Sequence, residues 1–314
     1  MTAAPVISRL APKIIELEDR LFQITLQPSL PGFDDFICAY LHAGSPGFLV
    51  DVGPASTANQ LSAAMEQLGV NRLDFILLTH IHLDHAGAVG EAADRFPTAA
   101  VVCHPSAFSH LEDPTRLWQG TVKTLGDIGR AYGPIQPLQK NRLMNALELD
   151  AGGLRSVPTP GHAPHHVSYL FQKTLFAGEA GGVSLPLPSS PVYLRPATPP
   201  RFHLKTSLAS IDALMEERAS RICYGHLGAR EDVHGMLANH RSQLLLWSRI
   251  VEEESRKADR NILPGLLMKR LLQDDFRLAS FSDLPRDVRD RETFFLTNSI
   301  SGFVQALDAL ADNP

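Results

Sequence analysis

Residues 75–90 read FILLTHIHLDHAGAVG, and the fold turns on how that string is divided. Phe75 to Leu78 is a short apolar run that follows the more polar Asn71 to Asp74. Its length and continuity are those of a strand buried on both faces rather than of a helix. His80, His82, Asp84 and His85 come directly after it. The small residues Ala86, Gly87, Ala88 and Gly90 then open a helix-like stretch to Phe96. Four metal-capable side chains therefore share one strand-to-helix turn, and in open α/β sheets such turns at the carboxyl ends of strands are where ligand sites form.

Neutral imidazole and carboxylate are the usual ligands of zinc, iron and manganese. His80 and His82 stand at alternate positions of an extended segment, so both rings point the same way and can grip one ion. Asp84 and His85 begin the helix and face elsewhere, which suits a second ion nearby. A lone histidine in a turn is usually a solvated side chain. Four ligands packed into six positions behind a buried strand point instead to a metal site.

The string His80-Ile81-His82-Leu83-Asp84-His85 resembles the HxHxDH signature of the metallo-β-lactamase-fold hydrolases. Three further matches follow in order: Thr159-Pro160-Gly161-His162, Phe176-Ala177-Gly178-Glu179 and Tyr224-Gly225-His226. The resemblance runs from Leu21 to Gly228 and is strongest to the branch holding glyoxalase II and lactonases. It implies an α/β fold, a four-layer αββα sandwich over residues 1–228, with a helical C-terminal extension over 229–314 packed on it. It also implies a ligand set, with His80, His82 and His162 on one ion, Asp84, His85 and His226 on a second, and Glu179 near both. The family has aspartate where this chain has Glu179, so the bridge must adjust to one more methylene. Asp51 resembles the aspartate that supports the metal loop from behind. His166 matches a position beneath the site, and neither it nor His165 is assigned as a ligand. The cofactors implied are two divalent metal ions, zinc in the first place, with manganese or iron as alternatives.

With 314 residues, 44% of them hydrophobic and 20% charged, the composition is that of an ordinary globular protein. The net charge of −5 recruits no polyanion, so nucleic acid is not an expected partner. Cys38, Cys103 and Cys223 are too few and too scattered for a disulfide framework. The N-terminal stretch lacks a basic segment followed by a sustained apolar one, and no run reaches membrane-spanning length. The expected setting is the cytoplasm, without membrane association.

Along the remaining chain, Leu21 to Leu26 and Phe36 to His42 read as strands joined by a flap whose Leu30 and Phe33 are candidate substrate contacts. Residues 114–133 read as one amphipathic helix. The proline-rich 183–203 reads as a lid without lasting regular structure, with Tyr193 and Arg195 as candidate contacts and Arg195 as a clamp on a carboxylate or phosphate. From residue 229 the pattern is helical, at 230–257, 262–273 and 286–311. This tail could cover the pocket, mediate a homodimer or complete the core.

Three protein ligands per ion leave coordination positions open for water, as catalytic centres do. Hydroxide at neutral pH, with Asp84 as the catalytic residue that orients it or takes its proton, predicts a metallohydrolase acting on a small acyl substrate, a thioester or a lactone. Two other classes compete. One is a mononuclear iron dioxygenase using His80, His162 and Glu179. The other is a non-catalytic metal-bearing sensor or partner-binding protein.

Overall fold

The computed structural model describes residues 12–186, 193–200 and 202–311. The chain opens with strands β1 (Lys13–Glu18), β2 (Leu21–Leu26), β3 (Ile37–His42) and β4 (Phe48–Val50). Helices then alternate with strands: α1 (Ala58–Gln67), β5 (Phe75–Leu77), α2 (Leu83–Ala86), α3 (Val89–Arg95), β6 (Ala100–Cys103), α4 (Phe108–Glu112), α5 (Thr115–Leu125), α6 (Asp127–Tyr132) and β7 (Leu143–Asn145). These seven strands form one sheet in sequence order, antiparallel from β1 to β4 and parallel from β4 to β7. Next come β8 (Asp150–Ala151), β9 (Leu154–Pro158), β10 (Val167–Phe171), β11 (Thr174–Gly178), a two-stranded ribbon of β12 (Val183–Leu185) and β13 (Tyr193–Arg195), α7 (Leu204–Glu216), β14 (Arg221–Tyr224) and β15 (Ala229–Arg230). The second sheet has the order β15-β14-β11-β10-β9-β8. Helices α8 (Val233–Ser255), α9 (Leu263–Asp274) and α10 (Arg286–Ala311) end the chain.

Strand periodicity explains the layers. On β3, Cys38 and Tyr40 join Tyr169 and Phe176 of the other sheet, while Ile37, Ala39 and Leu41 face the cluster that includes Leu61, Ala64 and Val89 of α1 and α3. On β5, Leu77 and Ile76 divide between the same two clusters. Burial on both faces is why these strands read as apolar runs without alternation. The outer face of the second sheet, with Leu170, Leu175, Ile222 and Tyr224, packs on Ile211, Leu237, Trp247, Leu267 and Phe303 from α7 to α10. The result is the expected helix–sheet–sheet–helix sandwich, and the C-terminal helices share one core with the second sheet. Among the described residues no helix is long and apolar enough to cross a membrane.

Two segments differ from the sequence-based expectation. The helix over 114–133 breaks at Gly126, whose φ of 59° supplies the turn between α5 and α6. Within 183–203 the β12–β13 ribbon forms, although residues 187–192 and 201 lie outside the described residues.

Helix α10 lies directly on the backbone that follows β13. A Cβ at Gly302 would stand 2.1 Å from the Thr198 carbonyl oxygen and 2.8 Å from that of Pro199. Alanine is favoured over glycine inside a helix by about 1 kcal/mol. A forced backbone shift costs about 1–3 kcal/mol, so Gly302→Ala is expected to lower the melting temperature despite its better helix propensity. A thermal denaturation series checks the sign.

Candidate metal centre

The second sheet brings the distant motifs together. His162 lies in the β9–β10 connection, Glu179 follows β11 and His226 follows β14, and these strands are neighbours whose loops emerge at one edge. The opposing sheet delivers the turn after β5 to the same edge. His80 Nε2 lies 3.0 Å and His162 Nε2 2.8 Å from His82 Nδ1. Glu179 Oε2 lies 2.8 Å from His162 Nε2 and 3.5 Å from His80 Nε2. Beside this group, Asp84 Oδ2 lies 3.6 Å from His226 Nε2 and 4.0 Å from His85 Nε2. Glu179 reaches this second group too, with Oε2 3.7 Å from His85 Nε2 and Oε1 3.5 Å from His226 Nε2. All seven side chains singled out in the sequence therefore meet. They form two adjacent clusters, His80–His82–His162–Glu179 and Asp84–His85–His226, each with the spacing of a metal-binding group.

Contacts behind the rings set their direction. His80 Nδ1 pairs with Thr79 Oγ1 at 3.1 Å, His162 Nδ1 donates to the Ala197 carbonyl at 2.9 Å, and His85 Nδ1 pairs with Asp51 Oδ2 at 2.8 Å. Each contact leaves Nε2 turned to the cluster, the arrangement in which outer partners fix a ligating histidine. Asp51 also accepts the Thr79 backbone N–H at 2.8 Å from a left-handed conformation, φ 54°. His226 is held by stacking on Phe36, with centroids 4.2 Å apart. Gly225 leaves room for a ring, since a Cβ there would lie 2.3 Å from His85 Cε1. His166 accepts the Glu179 N–H at 3.3 Å and so sits beneath the centre. His165 has a task the sequence did not signal: its Nε2 accepts the Ile81 N–H at 3.2 Å and braces the loop between His80 and His82.

The donor set fits a divalent ion. His82 Nδ1 faces two other ring nitrogens, and His85 Nε2 is buried without a hydrogen-bond partner. Such a cluster calls for a proton or a cation at its middle. Burial, reinforced by neighbouring imidazoles, holds His80 and His82 well below the usual histidine range, so both rings are neutral, the form that could bind a cation. Burial also disfavours charge on His85, but Asp51, Asp84 and Glu179 outweigh it and push the ring up to about 9. Burial opposes charge on Glu179 in the same way, yet His162 and hydrogen bonds from His162, His226 and His80 keep its carboxyl well below the ordinary value. The cysteines offer no thiolate: burial pushes Cys38 and Cys103 up to about 12 and Cys223 well above its usual value.

A cavity of about 390 Å³ opens over these groups, with His82, Asp84, His162, Glu179 and His226 in its lining and largely apolar walls that include Phe36, Ile81, Leu117, Leu125 and Phe295. Arg195 lines it as well. Tyr193 and Phe33 do not, which corrects the sequence-based assignment of both as substrate contacts. The Tyr193 hydroxyl donates to Glu292 Oε2 at 3.0 Å and its ring is wholly buried. Phe33 is drawn into the core because Arg291 of α10 hydrogen-bonds the Gly32 carbonyl beside it, and its ring packs edge-on against Phe36 at 5.3 Å. Leu30 packs on the same core rather than on the cavity.

The layering and the paired imidazole–carboxylate clusters define an αββα protein built around a metal-binding edge. The chain belongs to the metallo-β-lactamase superfamily, whose sequence profile matches residues 38–226. The metallo-beta-lactamase fold-containing protein ST1585 of Sulfurisphaera tokodaii is 28% identical over 207 residues, 62% of this chain and 74% of that one. A hydroxyacylglutathione hydrolase of Acidiphilium cryptum is 29% identical over 197 residues, 62% of this chain and 67% of that one. The N-acyl homoserine lactonase AttM of Agrobacterium fabrum is 31% identical over 114 residues, 34% of this chain and 39% of that one. The crystal structure of ST1585 from Sulfolobus tokodaii shares the fold, with a TM-score of 0.62 at 24% identity over 84% of this chain and 98% of that one.

Proposed function

We propose that the protein is a metal-dependent hydrolase of a small acyl substrate, a thioester or a lactone, working at a two-ion centre of zinc type. The observation that carries this reading is the placement of Glu179, whose carboxylate reaches both clusters, Oε2 toward His162 and His85 and Oε1 toward His226, in the lining of a largely apolar cavity. His80, His82 and His162 would hold one ion and Asp84, His85 and His226 the other, with Glu179 between them. Bound ions of this kind supply Lewis acidity and lower the pKa of water toward ~7. Asp84 lines the cavity, where its carboxylate can orient an attacking water and take its proton. The apolar walls receive the acyl part and exclude bulk water. The hydroxyacylglutathione and N-acyl homoserine lactone in the names of two relatives are acyl compounds, which suit these walls better than a phosphodiester does.

An oxidative centre of one iron would use His80, His162 and Glu179 and leave Asp84, His85 and His226 without a task, so the second cluster favours hydrolysis. Elemental analysis of protein purified without added metal, beside a panel of acyl and phosphoester substrates, tests the choice. Two divalent ions per chain with thioester or lactone turnover are expected. A single iron with oxygen uptake would replace this reading.

A further inference from the structure

Three buried charged side chains, one of which lines the cavity, form a group that is unbalanced in charge. Arg195 Nε donates to Glu292 Oε2 at 2.6 Å, and Arg291 Nε donates to Glu292 Oε1 at 3.0 Å. All three are nearly inaccessible, with exposures of 2%, 4% and 0% for Arg195, Arg291 and Glu292. Two guanidinium groups thus share one carboxylate, which leaves a buried positive charge in excess. Asp84 and Glu179, the carboxylates lining the same cavity, are turned to the imidazoles, and neither forms an ion pair with Arg195 or Arg291 among the described residues. An unbalanced buried charge is unfavourable unless an anion joins it.

Arg195 is the member of this group that meets the cavity. Its guanidinium lies over the Phe295 ring, 4.8 Å from the centroid, which packs it against the wall. Its Nε is taken by Glu292 and its Nη1 reaches the Pro196 carbonyl at 3.4 Å, while Nη2 makes no hydrogen bond among the described residues. A fixed, planar donor edge in an apolar pocket matches a carboxylate.

We infer that Arg195 forms an anion subsite and that the substrate is an acyl compound bearing a carboxylate at the end away from the bond to be cleaved. The aliphatic stretch between the two ends lies along the apolar walls. This rests on the hydrolase reading only for which end reacts; the subsite itself stands on the geometry of Arg195, Arg291 and Glu292.

The test is binding of straight-chain dicarboxylates of four to eight carbons, each compared with the monocarboxylate of equal length, by calorimetric titration of the protein as purified. Both kinds can place one carboxylate at the ligand clusters, and only the dicarboxylate has a second for Arg195. At one or two chain lengths the dicarboxylate is expected to bind tighter by about ten-fold or more, the range of a hydrogen bond to a charged group. Arg195→Met should abolish that gain and leave the monocarboxylate unchanged. It should also fold, because Arg291 and Glu292 then form a balanced pair. Arg195→Lys, which keeps the charge and loses the planar edge, should retain only part of the gain and carries the test if Arg195→Met does not fold. No gain at any length, or a full gain in these variants, overturns the inference. Absence of thioester and lactone turnover beside an intact gain would remove the hydrolase reading alone. Turnover of uncharged acyl substrates without any gain would remove the anion subsite alone.

Discussion

His82→Ala is expected to strip the first ligand cluster of its metal and to lower turnover by more than ~100-fold. His82 Nδ1 is the hub of that cluster, 3.0 Å from His80 Nε2 and 2.8 Å from His162 Nε2. Loss of an outer partner of a ligand typically costs 10–100-fold in metal affinity or activity, and loss of a direct ligand should exceed that. The metal-free fold should barely notice. His82 is only half-buried, its backbone is already extended as the N-cap of α2, and its removal relieves the crowding of three ring nitrogens. The melting temperature of metal-free protein should therefore match that of the parent, while the rise produced by added zinc should shrink. A ligand present at a hundred times its dissociation constant stabilises by about 2.7 kcal/mol, so that loss is measurable. The exposed His234→Ala on α8 serves as a control for general effects of losing an imidazole. Full metal occupancy in His82→Ala would show that the imidazole groups meet for some other reason.

Much of this centre was legible in the sequence because its first half is local. A strand buried on both faces leaves a run of apolar letters, and the ligands follow within a few positions, so position along the chain stands for position in space. The later ligands were legible through ordered motifs whose glycines have visible tasks, such as Gly225 leaving room for His85. What stayed hidden depends on partners far away. Tyr193 and Arg195 sit two residues apart on β13 and both turn to Glu292, 97 residues beyond Arg195, and nothing in the proline-rich segment records that pairing. Phe33 belongs to a loop whose orientation is set by Arg291 on α10. The break at Gly126 was outvoted by helical periodicity on either side, since one glycine counts for only about 1 kcal/mol in such a pattern. His165 adjoins the ligand motif, but its bond to the Ile81 N–H requires two loops to be placed first.

The same reasoning singles out Asp51, and two substitutions there should separate its roles. Its carboxylate takes the Thr79 N–H at 2.8 Å, the Thr79 hydroxyl at 2.9 Å and His85 Nδ1 at 2.8 Å. Asp51→Ala should destabilise the fold by about 1–3 kcal/mol, because the buried Thr79 N–H loses its partner. It also places alanine at a positive φ, which adds about 1 kcal/mol of strain. Asp51→Asn tolerates that conformation and keeps an oxygen for Thr79, so the fold should survive. Its amide N–H would then face His85 Nδ1, draw the ring into the tautomer protonated at Nε2 and block the nitrogen turned to the second cluster. Metal affinity there should fall by about 10–100-fold while the first cluster keeps its ion. Without metal, His85 is raised to about 9 in the fold by the carboxylates around it, so the stability it gains from Asp51 is fully present below the unfolded value near 6.5 and lost as pH rises through about 9. The gap in melting temperature between metal-free parent and Asp51→Asn should therefore narrow across that window. A second cluster that binds metal equally well in both proteins would detach Asp51 from the site and leave it a support of the turn alone.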